Sequence, residues 1–282
     1  MVVLGCVAGM AATGLWDDLH TLRPATKLVM QLLWAALAVG FGMRVDSVSV
    51  PFTGVVMLGA LSWIVTILWL PGFSNVYNFM DGINGLAAGT GMIYGGFFFL
   101  LARREGDTEL MVLAILSAGS CLGFLVHNFP AARTFMGDIG SLSLGMLFAL
   151  FVVRLAQRSP HASTFVALVL VCVVFLYDAA FTILRRIRRR ENIFQAHRAH
   201  LYQRLAQTGL THARITGLYL LLHGLVGVLA LAYVAASDAI RAGILGLVVL
   251  ILLVFTFGVS RAERRVTRSG AIRGVETLGP GG

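Results

Sequence analysis

The sequence predicts an all-α integral membrane protein, a bundle of helices that crosses a lipid bilayer about nine times. Hydrophobic residues make up 58% of the 282 residues, charged residues only 12%, and the mean hydropathy is +0.85. Soluble domains carry about 25% charged residues, so this chain cannot cover a water-facing surface. The apolar residues form long runs, and no sheet-like alternation is visible. Soluble, disordered, fibrous and disulfide-stapled proteins are thereby excluded.

Nine apolar runs approach the ~20 residues that a spanning helix needs. The first run is short, since 16 residues rise about 24 Å against a hydrocarbon core of about 30 Å. It does not look like a signal peptide, because no Lys or Arg precedes Arg23. The connections are short except for residues 185–214. The predicted spans are 1–16, 28–43, 53–71, 85–102, 110–126, 139–155, 162–184, 215–234 and 242–259.

The distribution of basic residues predicts the orientation. Alternate loops, together with the C-terminal segment, carry 16 of the 22 Lys and Arg residues, and the remaining loops carry 6. Basic residues collect on the cytoplasmic side, so we expect the N-terminus outside and the C-terminus inside. The net charge of +9 is then explained by topology and anionic lipid headgroups, and nucleic acid is not an expected partner.

Unusual polar clusters follow alternate spans, all on the arginine-rich side. Ionisable groups at membrane depth are costly and usually functional. Clusters on one face therefore predict a single site built from several loops. They lie at residues 17–18, 75–84, 128–141 and 197–204.

The first cluster is the adjacent pair Asp17 and Asp18. Such carboxylates repel each other unless a cation is near or one is protonated, and a free one can act as a general base. The alternative is a solvated helix end, with Pro24 opening the next helix. Successive side chains diverge by about 100°, so at most one acid meets a lipid phosphate directly. The other is expected to orient a cation or Lys27.

The second and third clusters are rich in Asn, Asp and Gly. Asn78, Asp81 and Asn84 offer oxygen and amide groups that suit a nucleobase, a ribose or Mg²⁺. The alternative is a turn followed by helix packing through glycines. Asp138 stands just before an apolar run, where it either caps a helix or bridges Mg²⁺ to a diphosphate.

The fourth cluster lies in the long loop of residues 185–214. Its arginine run is interpreted as a topology signal. His197 and His200 are three residues apart on one helical face, and they fit a phosphate-facing set with Arg198 and Arg204. A zinc pair is the alternative, without a nearby cysteine ligand. Asp178 and Arg185, about two turns apart, are expected to pair with each other.

These motifs resemble the polyprenyl-phosphate N-acetylhexosamine-1-phosphate transferases, and the resemblance covers essentially the whole chain in order, spacing and sidedness. Asn128 and Asp138, ten residues apart, also fit. The motifs are Asp17-Asp18 with Leu22, Pro24, Lys27 and Gln31; Asn78-x-x-Asp81-Gly82-x-Asn84-Gly85-Leu86; Phe135-Met-Gly-Asp138-x-Gly-Ser141; and His197-x-x-His200.

The resemblance implies one membrane transferase domain over residues 1–282, with the site in loops 17–27, 71–84, 127–138 and 185–214. It implies attack by undecaprenyl phosphate on the β-phosphate of a UDP-N-acetylhexosamine, with Mg²⁺ as cofactor and Mn²⁺ as its substitute. The implied location is the bacterial inner membrane, with the site on the cytoplasmic face. The implied partners are the two substrates, the lipid bilayer and a second copy of the chain in a homodimer. The implied catalytic residues are Asp17, Asp18 and Asp138; the metal ligands are Asp138 and Asp81; and the substrate-binding residues are Lys27, Asn78, Asp81, Asn84, Asn128, Phe135, His197, Arg198 and His200.

The resemblance points to one branch of the family, and the chain departs from the family pattern at two places. The sequence His197-Arg-Ala-His200 is similar to the branch that starts surface polysaccharides such as O-antigen, and it lacks the three adjacent histidines of the peptidoglycan enzyme. Asn84 stands where many members have aspartate. The first span of this chain also corresponds to the third span of family members. The first two spans of those members, and the basic, glycine-containing loop between them, have no counterpart in the sequence given. The alternatives are the peptidoglycan transferase, a transporter of anionic substrates and an inactive truncated homologue.

Overall fold

A computed structural model describes residues 1–159, 161, 163–191 and 199–268. Within these residues the chain is helical apart from one short hairpin. The helices are α1 (Val2–His20), α2 (Pro24–Gly40), α3 (Leu61–Phe79), α4 (Leu86–Arg104), α5 (Thr108–Asn128), α6 (Gly137–Arg158), α7 (Ser163–Arg188), α8 (Leu201–Gln207), α9 (His212–Ala235) and α10 (Asp238–Arg268).

Seven of these helices are long and apolar enough to cross a membrane: α1, α4, α5, α6, α7, α9 and α10. Helix α2 is a shorter apolar helix. The all-helical membrane class is therefore confirmed, while the count of about nine spans and the orientation of the termini stay predictions.

The third predicted span was placed too early, and the expectation of no strand was wrong. Residues 53–57 belong to a hairpin of β1 (Ser47–Val50) and β2 (Gly54–Met57), which pair antiparallel with Ser47 opposite Met57. Valines favour this extended pairing. The turn places Phe52 at φ 66° and Gly54 at φ 86°, which ends the strand and delays α3 until Leu61.

The first helix extends further than its predicted span. Helix α1 continues through His20, so its 19 residues rise about 28 Å, close to the thickness of a bilayer core. Asp17 and Asp18 therefore lie in the last turn of the helix and not after it. The chain turns at Thr21, and Pro24 opens α2 as expected.

Helix α6 approaches both α1 and α3 unusually closely, and glycines permit this. A Cβ at Gly14 of α1 would clash with the main-chain oxygen of Asp138. A Cβ at Gly145 of α6 would lie 2.7 Å from the Cα of Ser74 in α3. Because no side chain separates the backbones, the ends of these three helices meet and place their polar residues side by side.

Candidate active site

Lys27 is the centre of a polar network that joins four helices, α1, α2, α3 and α6. Its ammonium group lies 2.8 Å from Oδ2 of Asp17 and also contacts Oδ2 of Asp138. The other oxygen of Asp138 accepts a hydrogen bond from Nδ2 of Asn78 at 2.7 Å, and the same amide lies 2.8 Å from Oγ of Ser141. The structure thus brings together predicted residues from three separate clusters.

Asp18 holds the start of α6. Its two oxygens accept hydrogen bonds from the main-chain N–H groups of Asp138 (2.9 Å) and Ile139 (3.0 Å). A negative carboxylate at this position satisfies unpaired amides and is stabilised by the helix dipole. The cap of α6 is therefore Asp18, and the interpretation of Asp138 as a helix cap was wrong. The side chain of Asp138 is free to face Lys27 and Asn78.

The two adjacent acids diverge, as their spacing predicted. Asp17 turns to Lys27 with one oxygen, while its other oxygen accepts a hydrogen bond from the N–H of Leu22 at 2.6 Å. Asp18 turns to the backbone of α6. Each acid thus has a distinct set of partners, and Asp17 is the one that contacts Lys27. The expected division, in which the other acid meets the lipid phosphate, stays a prediction.

Asp81 lies in the turn between α3 and α4 and is partly buried. Burial, and then the negative charge of nearby Asp138, raises the pKa of Asp81 to about 7. A divalent cation shared by these two carboxylates would relieve their repulsion. In the described part of the chain, no group of three or more His, Cys, Asp or Glu residues could hold a metal ion. Mg²⁺ typically takes one or two carboxylates and completes its shell with water and substrate phosphates, so magnesium at Asp138 and Asp81 stays a prediction.

Asn84 and Asn128 connect two loops to each other. Asn84 donates to the carbonyl of Pro130 at 3.0 Å. Asn128 is only 5% exposed; its oxygen accepts from the N–H of Gly85 at 2.7 Å, and its amide donates to the carbonyl of Thr134 at 2.8 Å. The structure therefore shows Asn128 bracing main chain around the site. The lining of a nucleotide pocket by either residue stays a prediction.

Phe135 lies apart from the Lys27 network. It is 78% exposed, on the loop between α5 and α6. A ring this exposed offers a free face on which a base can stack.

His200 is fixed by a residue whose role the sequence analysis missed. Its Nδ1 lies 3.1 Å from Oδ1 of Asp178, a carboxylate of α7 that is 1% exposed. Asp178 also accepts hydrogen bonds from the N–H of Leu201 at 2.9 Å and from Oη of Tyr219 at 2.6 Å. The expected pairing of Asp178 with Arg185 was therefore wrong, because these nearer donors use the carboxylate. An acid inside an apolar run was the signal that could have found it.

Helix α8 follows His200 and reaches the turn that carries Asp81. The hydroxyl of Tyr202 donates to the carbonyl of Phe79 at 2.8 Å, and a Cβ at Gly82 would collide with that hydroxyl. Arg204 turns away and pairs with Glu263 of α10, so its expected place in a phosphate-facing set is not what the structure shows. His197 and Arg198 lie outside the described residues.

The family model for glycosyl transferase family 4 matches residues 1–156, more than half of the chain. The chain belongs to glycosyl transferase family 4. It is 31% identical over 247 residues to the "probable undecaprenyl-phosphate N-acetylglucosaminyl 1-phosphate transferase" of Bacillus subtilis, covering 80% of this chain and 69% of that protein. It is 34% identical over 244 residues to a decaprenyl-phosphate N-acetylglucosaminephosphotransferase of Mycobacterium leprae, covering 78% and 61%.

Proteins named for a different reaction also match. A phospho-N-acetylmuramoyl-pentapeptide-transferase of Lactiplantibacillus plantarum is 31% identical over 185 residues, covering 62% of this chain and 56% of that protein. The chain spans between 61% and 69% of the length of the first two relatives. The family match includes Asp17, Lys27, Asn78 and Asp138 but ends before Asp178 and His200.

Proposed function

We propose that the protein transfers N-acetylhexosamine-1-phosphate from a UDP-sugar to undecaprenyl phosphate and releases UMP. The observation that carries this proposal is Lys27 held between Asp17 and Asp138 in a member of glycosyl transferase family 4. The names of its relatives support a polyprenyl-phosphate acceptor and an N-acetylglucosamine-1-phosphate donor. We further propose that the site faces the cytoplasm at the inner membrane and that the reaction begins a surface polysaccharide such as O-antigen.

The chemistry forms a bond between an oxygen of the lipid phosphate and the β-phosphorus, and breaks the bond from that phosphorus to the oxygen that leaves with UMP. Phosphoryl transfer needs positioning and charge neutralisation more than covalent help from the protein. Mg²⁺, held by Asp138 and Asp81, would neutralise the diphosphate charge. Lys27 supplies a compact positive charge beside the same carboxylates. Asn78 fixes the orientation of Asp138 by binding its second oxygen.

The two N-terminal acids have separate proposed roles. Asp17 lies against Lys27, so it is placed to receive a proton from, or to orient, the acceptor phosphate. Asp18 is committed to the N–H groups at the start of α6, where it fixes Asp138. We therefore assign both the contact with Lys27 and the direct role toward the lipid phosphate to Asp17, instead of dividing them between the two acids as the sequence suggested, and a positioning role to Asp18.

The test is a transfer assay on the purified protein with undecaprenyl phosphate, Mg²⁺ and a panel of labelled nucleotide sugars. We expect UMP and a lipid-diphosphate sugar from UDP-N-acetylglucosamine or a related UDP-N-acetylhexosamine. Lys27→Met should abolish transfer, whereas Arg44→Gln, at a half-buried arginine that contacts Asp46 and Trp63 and not the network, should not. Product formed equally well by Lys27→Met would contradict the proposal.

The peptidoglycan reaction is the second candidate, because phospho-N-acetylmuramoyl-pentapeptide-transferases are among the relatives. The same assay separates the two, since only that enzyme would use UDP-N-acetylmuramoyl-pentapeptide as donor. A transporter of anionic substrates would instead leave its substrate chemically unchanged. The convergence of Asp17, Lys27, Asn78 and Asp138 on one end of the bundle favours chemistry at a single face over a path through the membrane.

A further inference from the structure

A second polar recess lies between α7, α8 and α10, on helices that do not contribute to the Lys27 network. It is a cleft of about 420 Å³ that we call the arginine cleft. Its charged lining comprises Arg185, Arg188, Arg189, Arg204, Arg264 and a single acid, Glu263. The charged lining is therefore strongly positive.

The single acid of the arginine cleft is already engaged. Nε of Arg204 lies 2.5 Å from Oε1 of Glu263, and Nη2 contacts the other oxygen. The side chain of Arg204 is only 5% exposed, yet its Nη1 is buried with no hydrogen-bond partner among the residues that the structure describes. A buried guanidinium N–H without an acceptor is costly, so an anionic acceptor that reaches it from the cleft would be stabilised.

The arginine cleft also has an apolar wall. Phe181 lines it, with its ring 6.0 Å from Cζ of Arg204. Leu184 lines it as well and is 47% exposed, and Ile187 of the same helix is exposed beside it. Cations at the end of a spanning helix, above exposed aliphatic side chains, match a molecule with an anionic head and a hydrocarbon tail.

We propose that the arginine cleft binds the phosphodiester headgroup of an anionic membrane phospholipid. Nη1 of Arg204 donates to a phosphate oxygen, the surrounding arginines neutralise its charge, and an acyl chain follows Leu184. A topology signal requires only a count of basic residues in a loop. It does not require a recess with a buried donor that has no acceptor in the described part of the chain, and this difference favours a specific site over general attraction to the membrane.

The bound lipid would hold α8 against the bundle. Arg204 is two residues from Tyr202, whose hydroxyl contacts the end of α3. A lipid bound in the arginine cleft would thus add a second contact that holds α8 to the rest of the bundle. This proposal does not depend on the reaction that the protein catalyses, and binding can be measured without turnover.

The test is a binding titration by native mass spectrometry on the purified full chain in a neutral detergent, with dioleoylphosphatidylglycerol and, in parallel, dioleoylphosphatidylcholine. The cleft variant is Arg188→Gln with Arg264→Gln. The matched control is Arg190→Gln with Arg265→Gln, which removes the same charge from exposed positions on the same two segments outside the cleft. All four substitutions are at exposed side chains and leave packed groups untouched.

We expect the cleft variant to bind phosphatidylglycerol about tenfold more weakly than wild type, because two charge-assisted contacts are lost. The control should stay within twofold, and phosphatidylcholine should bind weakly and equally to all three proteins. Single Arg188→Gln and Arg264→Gln variants should each lose about threefold, and they replace the double variant if it fails to fold.

Three results would overturn the proposal. Equal losses in the cleft variant and the control would mean that only total charge matters. Displacement of phosphatidylglycerol by inorganic phosphate at millimolar concentration would show a site for free phosphate. Tighter binding of undecaprenyl phosphate than of phosphatidylglycerol would make the arginine cleft an acceptor site.

Discussion

Replacing Asp178 with asparagine should detach α8 from the bundle. The carboxylate of Asp178 is buried in α7, and it holds the entry to α8 through His200, through the N–H of Leu201 and, across the bundle, through Tyr219. Asparagine has nearly the same shape but replaces one acceptor oxygen with an amide that donates. At least one buried donor must then face another donor.

The size of the effect follows from the contacts. Leu201 N and Tyr219 Oη bind different oxygens of Asp178, at 2.9 and 2.6 Å. An asparagine amide nitrogen on the first side opposes the N–H of Leu201; on the second side it can donate to Tyr219 Oη, but the hydroxyl hydrogen and the N–H of Tyr202 then lose their acceptor. A buried donor left without an acceptor costs about 1–3 kcal/mol, and the charge-assisted bond that is lost adds about as much. We therefore expect Asp178→Asn to lower the free energy of unfolding by about 2–4 kcal/mol. Tyr219→Phe, which removes one bond only, should cost about 1–2 kcal/mol.

The assay uses the buried cysteines Cys6, Cys121 and Cys172, which become accessible to a thiol-reactive fluorophore when the detergent-solubilised protein unfolds on heating. Because Asp178 and Tyr219 share a bond, the double variant should lose less than the sum of the single losses, by about 1 kcal/mol or more. Thr182→Val is the matched control: its 3.3 Å contact with Asp178 is long, and its loss should be small. Strictly additive losses at positions 178 and 219 would refute the reasoning.

Three further predictions address the site. Asp138→Asn should lower transfer more than a hundredfold, because a ligand that places Mg²⁺ on the diphosphate contributes several kcal/mol; UMP release measures this, and near-wild-type turnover would remove Asp138 from the metal site. Gly82→Ala should lower the unfolding midpoint, because its Cβ collides with the Tyr202 hydroxyl, and Gly82→Ala combined with Tyr202→Phe should recover part of the loss. Asp81 binds its proton more tightly when folded (pKa about 7) than when unfolded (3.8), so its stabilising effect is complete below pH 4 and is lost as the pH rises through 7. In EDTA the wild type should therefore lose more stability between pH 5.5 and 8 than Asp81→Asn does, by about 1–2 kcal/mol after allowance for partial exposure. An equal loss in both proteins would contradict the raised pKa.

The helices and the meeting of the polar clusters were accessible from the sequence because both follow from local rules. Apolar runs longer than a dozen residues have few structural alternatives in a membrane, and residues that follow alternate spans share a side. These rules sufficed to group Asp17, Asn78 and Asp138. They did not specify contacts, and nothing in a count of spans predicts that Lys27 lies between two carboxylates.

Hydropathy gave a wrong start for the third predicted span, because it could not distinguish the hairpin from a helix. Valines of residues 47–57 are as apolar as those of a spanning helix, so a hydropathy count assigned residues 53–57 to a span. The deciding feature is the turn at Phe52 and Gly54, where φ is positive. Short apolar stretches remain ambiguous between helix and strand until such a turn is recognised.

Which of Asp18 and Asp138 caps α6 could be decided only from the packing of the helices. Both acids stand near a helix end, and sequence position alone made Asp138 the natural cap. Gly14 decides the matter, because the close approach of α1 to α6 brings Asp18 onto the free N–H groups first. Gly14 lies only three residues before Asp17, but its effect on the cap of α6 is visible only once the two helices are packed.

The site at the Lys27 network has more carboxylates than cations, and for this reason we propose a divalent cation for the reaction. Asp17 and Asp138 both contact Lys27, the charge of Asp138 acts on Asp81, and Asp18 is compensated by two backbone N–H groups. One ammonium cannot balance three carboxylates, and a lipid phosphate together with a nucleotide diphosphate would add further negative charge. Without another cation these substrates would be repelled by the residues that must position them. Burial and, after it, the charge of Asp138 raise the pKa of Asp81 before any substrate arrives, and a divalent cation shared with Asp138 would lower it again.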